Sequence, residues 1–285
     1  FLSIFPVRWL YVFSSLLYPI IYYIIPYRKK LVFKNLQNSF PEKPKSEIRK
    51  IAKEFYHHLC DSFVESVVES TLSKQELLKR FKVKNPEVCN NLYQEGKSIS
   101  LLMAHYGNWE WSSIMPEYIR HKVLAIYKPL RNKYFDRYIK KSRERFGVRT
   151  VAMEKILRVL TEYKNQSIPT LTYFIADQRP RWAQIQHWIK FLNQDTPVIL
   201  GAEKISKKLN HAVVFLDIRK TGRGYYEVEF KLLYEDPGQT DIFEITEKYY
   251  EILEERIKKE PEFWLWTHKR WKHEIEKFVP KAHTH

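Results

Sequence analysis

From residue 97 onward, short apolar runs of strand length alternate with amphipathic runs of helical length, and that alternation leaves little choice of fold class. Strands are expected at Ser98–Ala104, Val123–Tyr127, Arg149–Ala152, Thr170–Ala176, Ala212–Ile218 and Tyr226–Leu233. Helices are expected at Trp109–Arg120, Lys133–Phe146, Glu154–Tyr163, Pro197–Lys208 and Ile242–Lys259. Thr221-Gly222-Arg223-Gly224 reads as the hairpin turn between the last two strands. Upstream, Ser46 is a good N-cap for a helix whose Ile48, Ile51, Ala52, Phe55, Leu59, Phe63 and Val67 make one apolar face. His57 and His58 on that helix read as surface or satisfied residues, not ligands. The expected class is α/β: a mixed sheet flanked by helices, behind a helical N-terminal part.

Residues 1–27 carry a single charge, Arg8, and the 17 residues from Trp9 to Ile25 carry none, the short end of what spans a bilayer. Pro6, Pro19 and Pro26 kink or end a helix there, and Tyr and Trp are scattered along it. No basic stretch precedes the apolar run and no small-residue cleavage site comes after it, so a secretory signal is not expected. The segment reads as a membrane anchor helix, lying in the interface or just spanning, with the body of the protein from residue 28 onward. Arg28, Lys29 and Lys30 come directly after it and place that body on the cytoplasmic side.

Charge and rings narrow the partners. The net charge is +16, and 14 Lys or Arg against 4 Asp or Glu fall between Arg120 and Lys164. An anionic partner is implied: nucleic acid, an anionic membrane, a phosphorylated lipid or an acidic carrier protein. Aromatic residues reach 15%, a share suited to lipid–water interfaces and binding surfaces. Only 7 glycines are present, against a glycine-rich nucleotide loop, and the Gly-Arg-Gly of the hairpin lacks the strand–helix context of a dinucleotide motif. Cys60 and Cys89 have no CxxC spacing, so neither a disulfide framework nor a cysteine zinc site is expected, and a reducing compartment fits.

The chemistry concentrates in His105-Tyr106-Gly107-Asn108-Trp109-Glu110. A strand ends at His105, Gly107 permits a sharp turn and Asn108 can cap the helix that starts at Trp109. An imidazole is thereby placed at the carboxyl end of a strand, where open α/β sheets bind ligands. Glu110, five residues on, could reach back to one ring nitrogen and leave the other free to take a proton. Asp177 and Gln178 come after the strand Thr170–Ala176, again at a carboxyl end. Arg131 and Arg143, in the basic region, are candidates for phosphate or oxyanion contacts, since a guanidinium suits bidentate recognition. A metal site on His105, Glu110 and Asp177 is not expected, because no second histidine lies at ligand spacing.

The string HYGNWE resembles the conserved block of the lipid A late acyltransferases, the lauroyl/myristoyl transferase family of Gram-negative bacteria, which has relatives acting on phosphatidylinositol mannosides. Tyr127-Lys128-Pro129-Leu130-Arg131-Asn132 with Arg143–Gly147, Asp177-Gln178, Asp195-Thr196-Pro197, Trp264–Lys272 and the basic Tyr27–Pro41 resemble further stretches of that family, in order. The departure is Arg179–Gln194, aromatic and without glycine where the family has a glycine-containing stretch. The resemblance implies a glycerolipid-acyltransferase-like α/β fold over residues 28–285. It also implies an acyl thioester donor, on acyl carrier protein or coenzyme A, and a lipid acceptor at the cytoplasmic face of the bacterial inner membrane. His105 would be the general base and Glu110 its orienter. Lys128, Arg131, Asn132, Arg143, Asp177 and Gln178 would bind substrate. No cofactor is expected, the thioester being a substrate, and no nucleic-acid partner. Acylation of an amine on an aminolipid is the alternative within the enzyme class. A basic nucleic-acid-binding protein is the alternative outside it, and leaves both the apolar first 27 residues and HYGNWE without a role. A non-catalytic membrane adaptor is a third, against which the intact His–Glu pair speaks.

Overall fold

The computed structural model describes residues 7–130 and 132–277. Its centre is a seven-stranded sheet built from β1 (Phe81–Val83), β2 (Ile99–Met103), β3 (Lys122–Tyr127), β4 (Arg149–Ala152), β5 (Thr170–Ile175), β8 (Ala212–Gly222) and β9 (Tyr225–Tyr234), in the order β1-β9-β8-β2-β5-β3-β4. All neighbours are parallel except β8 and β9, which form the expected hairpin. Every residue of β2, and all but the last of β5, is buried, Ser100, Thr170 and Thr172 included, so neither strand has a solvent-facing polar side. A second, two-stranded sheet of β6 (Trp188–Phe191) and β7 (Gln194–Pro197) was not anticipated; β6 falls in the aromatic stretch where the sequence departs from the family pattern, and β7 ends in the Asp195-Thr196-Pro197 stretch that resembles it.

Helices α1 (Val7–Pro19), α2 (Lys29–Ser39) and α3 (Lys45–Glu69) precede the sheet, followed by α4 (Lys74–Arg80) and α5 (Glu87–Gln94). Later connections carry α6 (Lys133–Glu144), α7 (Ile156–Asn165), α8 (Gly201–Leu209) and α9 (Glu244–Lys259). Two expected helices differ. The segment after HYGNWE is a 3-10 helix, Glu110–Glu117, instead of an α-helix over Trp109–Arg120. Asn108 Oδ1 accepts Trp111 N–H, Ser112 Oγ donates back to the Trp109 carbonyl, and Pro116 has no N–H to give an α-helical ladder. α8 starts at Gly201, not Pro197, because Pro197 ends β7.

Among the described residues no single helix is long and apolar enough to cross a membrane; Trp9–Ile24 and Lys29–Ser39 meet the test only as a pair bent by 87°. The bend has a sequence cause. α1 ends at Pro19, continues as a π-helical turn over Ile20–Ile24, and the chain reverses through Arg28 in left-handed backbone at φ 52°. α1 packs on α3, burying Leu10 and Ser14, while Trp9, Val12, Phe13, Leu16 and Ile20 stay exposed. His57 and His58 are satisfied partners: His57 stacks on Tyr18 at 3.5 Å between centroids, and buried His58 lies 3.3 Å from Ser62 Oγ.

One helix ties the fold to the strand ends. Tyr249 of α9 donates its hydroxyl to the Met103 carbonyl at 2.7 Å, and Tyr250 donates to that of Ala176 at 2.8 Å, so α9 holds the carboxyl ends of β2 and β5 together. The first turn of α9 is capped from α8: buried Glu203 accepts the N–H groups of Phe243 and Thr246 and the Thr246 hydroxyl. Glu203→Ala is expected to lower stability by about 1–3 kcal/mol, the usual cost of orphaned buried donors. Urea denaturation would measure it, and an unchanged midpoint would show that the cap contributes nothing.

Candidate active site

β2 and β5 are parallel neighbours in register, with Met103 opposite Ile175. Two residues beyond each partner come His105 and Asp177, so the register delivers them side by side at the same edge of the sheet. Asp177 Oδ1 lies 2.6 Å from His105 Nδ1, and Oδ2 accepts the His105 backbone N–H at 3.0 Å and the Trp264 indole N–H at 2.9 Å. An ionised carboxylate only accepts, so Nδ1 carries a proton, and in the neutral ring Nε2 is the nitrogen with the lone pair. Gln178 points its amide nitrogen at that Nε2, 3.1 Å away. The sequence reading expected Glu110 to hold the ring; the carboxylate at the ring is Asp177.

Glu110 is engaged elsewhere. Its two oxygens accept Arg143 Nε at 2.8 Å and Nη2 at 2.6 Å, a bidentate pair linking the HYGNWE turn to α6. Beside them sits Glu69, 3% exposed, whose carboxyl is pushed up to about 8 by burial and by the neighbouring Glu110. A small cavity of about 30 Å³ lies here, with Trp109, Glu110, Arg143, Ala125, Tyr173 and Ile175 among its walls. The larger groove between β6 and α9, lined by Trp188, Lys190, Glu247, Glu251 and Glu254, holds none of the expected site residues.

His105 is shifted by opposing effects. Burial disfavours the imidazolium, but the Asp177 carboxylate at Nδ1 and, more weakly, Glu110 outweigh it, so the ring titrates above the ordinary histidine value; Arg143 pulls the other way. Asp177 stays below the usual carboxylate range despite its burial, because His105 and the Trp264 indole stabilise the anion. Its 2% exposure is tolerable only with those donors in place.

The turn itself is built for close approach. Gly107 has φ 59°, and a Cβ there would meet Ile218 Cγ2 at 2.9 Å, so the glycine serves both conformation and space. The C-terminal stretch runs against the turn: Gly107 N–H donates to the Phe263 carbonyl, Leu265 N–H donates to that of His105, and Tyr106 pairs with Trp264. Trp264 is thereby both wall and hydrogen-bond donor.

The other expected binding residues scatter. Lys128 and Asn132 lie exposed beyond β3, at the same edge of the sheet, where Asn132 Oδ1 accepts Tyr134 N–H at the start of α6. Arg131 lies outside the described residues. Two of the three Arg143 nitrogens are held by Glu110.

The family model for bacterial lipid A biosynthesis acyltransferases matches residues 1–273. The chain belongs to this family. It is therefore an acyltransferase enzyme of lipid A biosynthesis, and the match spans nearly all of the sequence. No curated protein matches the chain closely. Among the described residues of this family member, no group of three or more His, Cys, Asp or Glu side chains is placed to hold a metal ion.

The electrostatics around His105 give a two-sided expectation. Glu110→Gln removes a charge that favours the imidazolium and leaves Arg143 unpaired, so the His105 pKa should fall. Arg143→Ala removes a charge that disfavours it and frees Glu110, so the pKa should rise. Titration of the His105 ring by NMR reads both, and shifts of one sign in the two variants would contradict this arrangement.

Proposed function

We propose that the protein transfers a fatty acyl chain from a thioester, on acyl carrier protein or coenzyme A, to a hydroxyl of a lipid A precursor at the cytoplasmic face of the inner membrane. The observation that carries this reading is the His105–Asp177 pair, which holds Nδ1 and leaves Nε2 as the other ring nitrogen at the carboxyl edge of the sheet, in a chain of this family.

The residues support a direct transfer in which the acceptor supplies its own nucleophile. The acceptor hydroxyl takes the place of the Gln178 amide at Nε2 and gives its proton to that nitrogen as its oxygen bonds to the thioester carbonyl carbon. Asp177 holds the ring in the required tautomer and stabilises the imidazolium as it forms. The tetrahedral intermediate collapses with cleavage of the carbon–sulfur bond, and the departing thiolate recovers the proton from Nε2. The products are the ester and the free thiol, and His105 returns neutral. Glu110 acts in this account through its pair with Arg143: it fixes the turn and adds negative potential at the ring.

Membrane attachment is supported by the open apolar side of α1, where Trp9 is 66% and Leu16 63% exposed. α6 adds to it: Tyr134 and Tyr138 are exposed among Lys133, Arg137, Lys140 and Lys141, a basic and aromatic surface suited to anionic lipid heads. Both features favour a helix lying along the interface over one crossing the bilayer.

The test is acyl transfer by the purified protein, from an acyl thioester to a hydroxylated lipid A precursor, with product read by mass spectrometry. His105→Ala should lose about 10²–10⁴-fold in kcat, the usual worth of general base catalysis. The base must be neutral, so the rate should rise with pH, and the half-point should lie above ~6.5, the ordinary histidine value. Asp177→Asn should lower both the rate and that half-point, because it removes the charge that raises the histidine. Wild-type turnover in His105→Ala would overturn the mechanism, and product only with an amine acceptor would replace the ester by an amide.

A further inference from the structure

The polar side of α1 reaches the catalytic turn. Tyr11 donates its hydroxyl to Glu65 Oε1 at 2.8 Å, and the other oxygen of Glu65 accepts Asn108 Nδ2 and the Tyr226 hydroxyl, each at 2.8 Å. Asn108 belongs to the turn after His105, and its Oδ1 accepts Trp111 N–H; the Trp111 indole in turn donates to the Glu65 carbonyl at 3.4 Å. Glu65 is 1% and Asn108 3% exposed, so water is a poor substitute for any partner in this chain.

The approach of Tyr11 is provided for on the far side as well. Its ring enters beside Gly224 at the tip of the β8–β9 hairpin, where φ is 74° and a Cβ would come within 1.9 Å of the Tyr11 oxygen. Next to it Arg223 donates to the Tyr11 carbonyl, to Ser15 Oγ and to Asp61, while Ser14 Oγ donates to the same Asp61. A helix that served only to attach the protein would need its apolar side alone. Here the opposite side is matched residue by residue: Ser14 to Asp61, Ser15 to Arg223, and Tyr11 to Glu65, the buried carboxylate that also grips the catalytic turn.

We propose that Tyr11 is a positioning residue for the His105 turn, acting through Glu65 and Asn108, so that docking of α1 on α3 sets turnover as well as location. The proposal rests on His105 as the reacting base, and its test includes a measurement that does not depend on that reading. Tyr11→Phe keeps the ring and removes only the hydroxyl. In the full-length protein in detergent micelles, where attachment to a bilayer no longer limits the rate, the variant should lower kcat roughly tenfold, with KM within about twofold of wild type. Its flotation with vesicles containing anionic phospholipid should match wild type. Amide hydrogen exchange over residues 107–111 should be faster, and this arm stands even if no lipid acceptor is acylated by the wild-type protein. In an Asn108→Ala background, where the link is already cut, Tyr11→Phe should add less than about twofold. Wild-type kcat together with unchanged exchange in Tyr11→Phe would overturn the proposal, as would an undiminished tenfold effect in the Asn108→Ala background.

Discussion

A carboxylate buried to 2% exposure is costly unless donors surround it, and Asp177 draws those donors from two distant parts of the chain. The His105 backbone and ring come from the end of β2, and the indole of Trp264 comes from the segment after α9. Each donor has its own support. The register of β2 and β5 brings His105 alongside, and the bridge between Tyr106 and Trp264 sets the indole. Tyr249 and Tyr250 of α9 fasten the two strand ends. The same arrangement that makes the anion tolerable also orients the imidazole and leaves Nε2 as the one ring nitrogen able to accept a proton. On the proposed mechanism, stability and reactivity rest on the same hydrogen bonds.

The position of His105 was legible in the sequence because a short, mostly apolar run followed by a histidine, a glycine and an asparagine describes a buried strand opening into a tight turn. Its partner was not legible. Proximity along the chain favoured Glu110, five residues away, whereas the parallel pairing of β2 with β5 brings in Asp177 from 72 residues away. Nothing local to either strand states which strands are neighbours. Asp177 was singled out by its place at a strand end, and only the sheet order turned it from a binding residue into the one that holds the ring. The role of Glu110 shifted for the same reason: Arg143, on a helix 33 residues further on, takes both of its oxygens.

Secondary structure obeyed a similar rule. Long amphipathic helices and buried parallel strands were readable, since their periodicity is set by burial on one side or on both. The 188–197 hairpin was not, because its mixed aromatic, aliphatic and polar residues carry no clean alternation, and Pro197 suggested a helix start where a strand ends. The N-terminal segment was read from its apolar side as an anchor. That side is open, but Tyr11, Ser14 and Ser15 on the other are bound to Glu65, Asp61 and Arg223, contacts that composition could not reveal. The segment is thus part of the body's polar interior as well as of its apolar surface.

The claim on which the account stands is that His105 and Asp177 act as one unit, and a double-mutant cycle addresses it most directly. With a fixed thioester and lipid acceptor, kcat/KM is measured for His105→Ala, Asp177→Asn and the double variant, each checked for folding by circular dichroism. If Asp177 works only through the imidazole, the double variant should be about as impaired as His105→Ala alone. Losses that multiply in the double variant would mean that the two residues act independently, and would contradict the account.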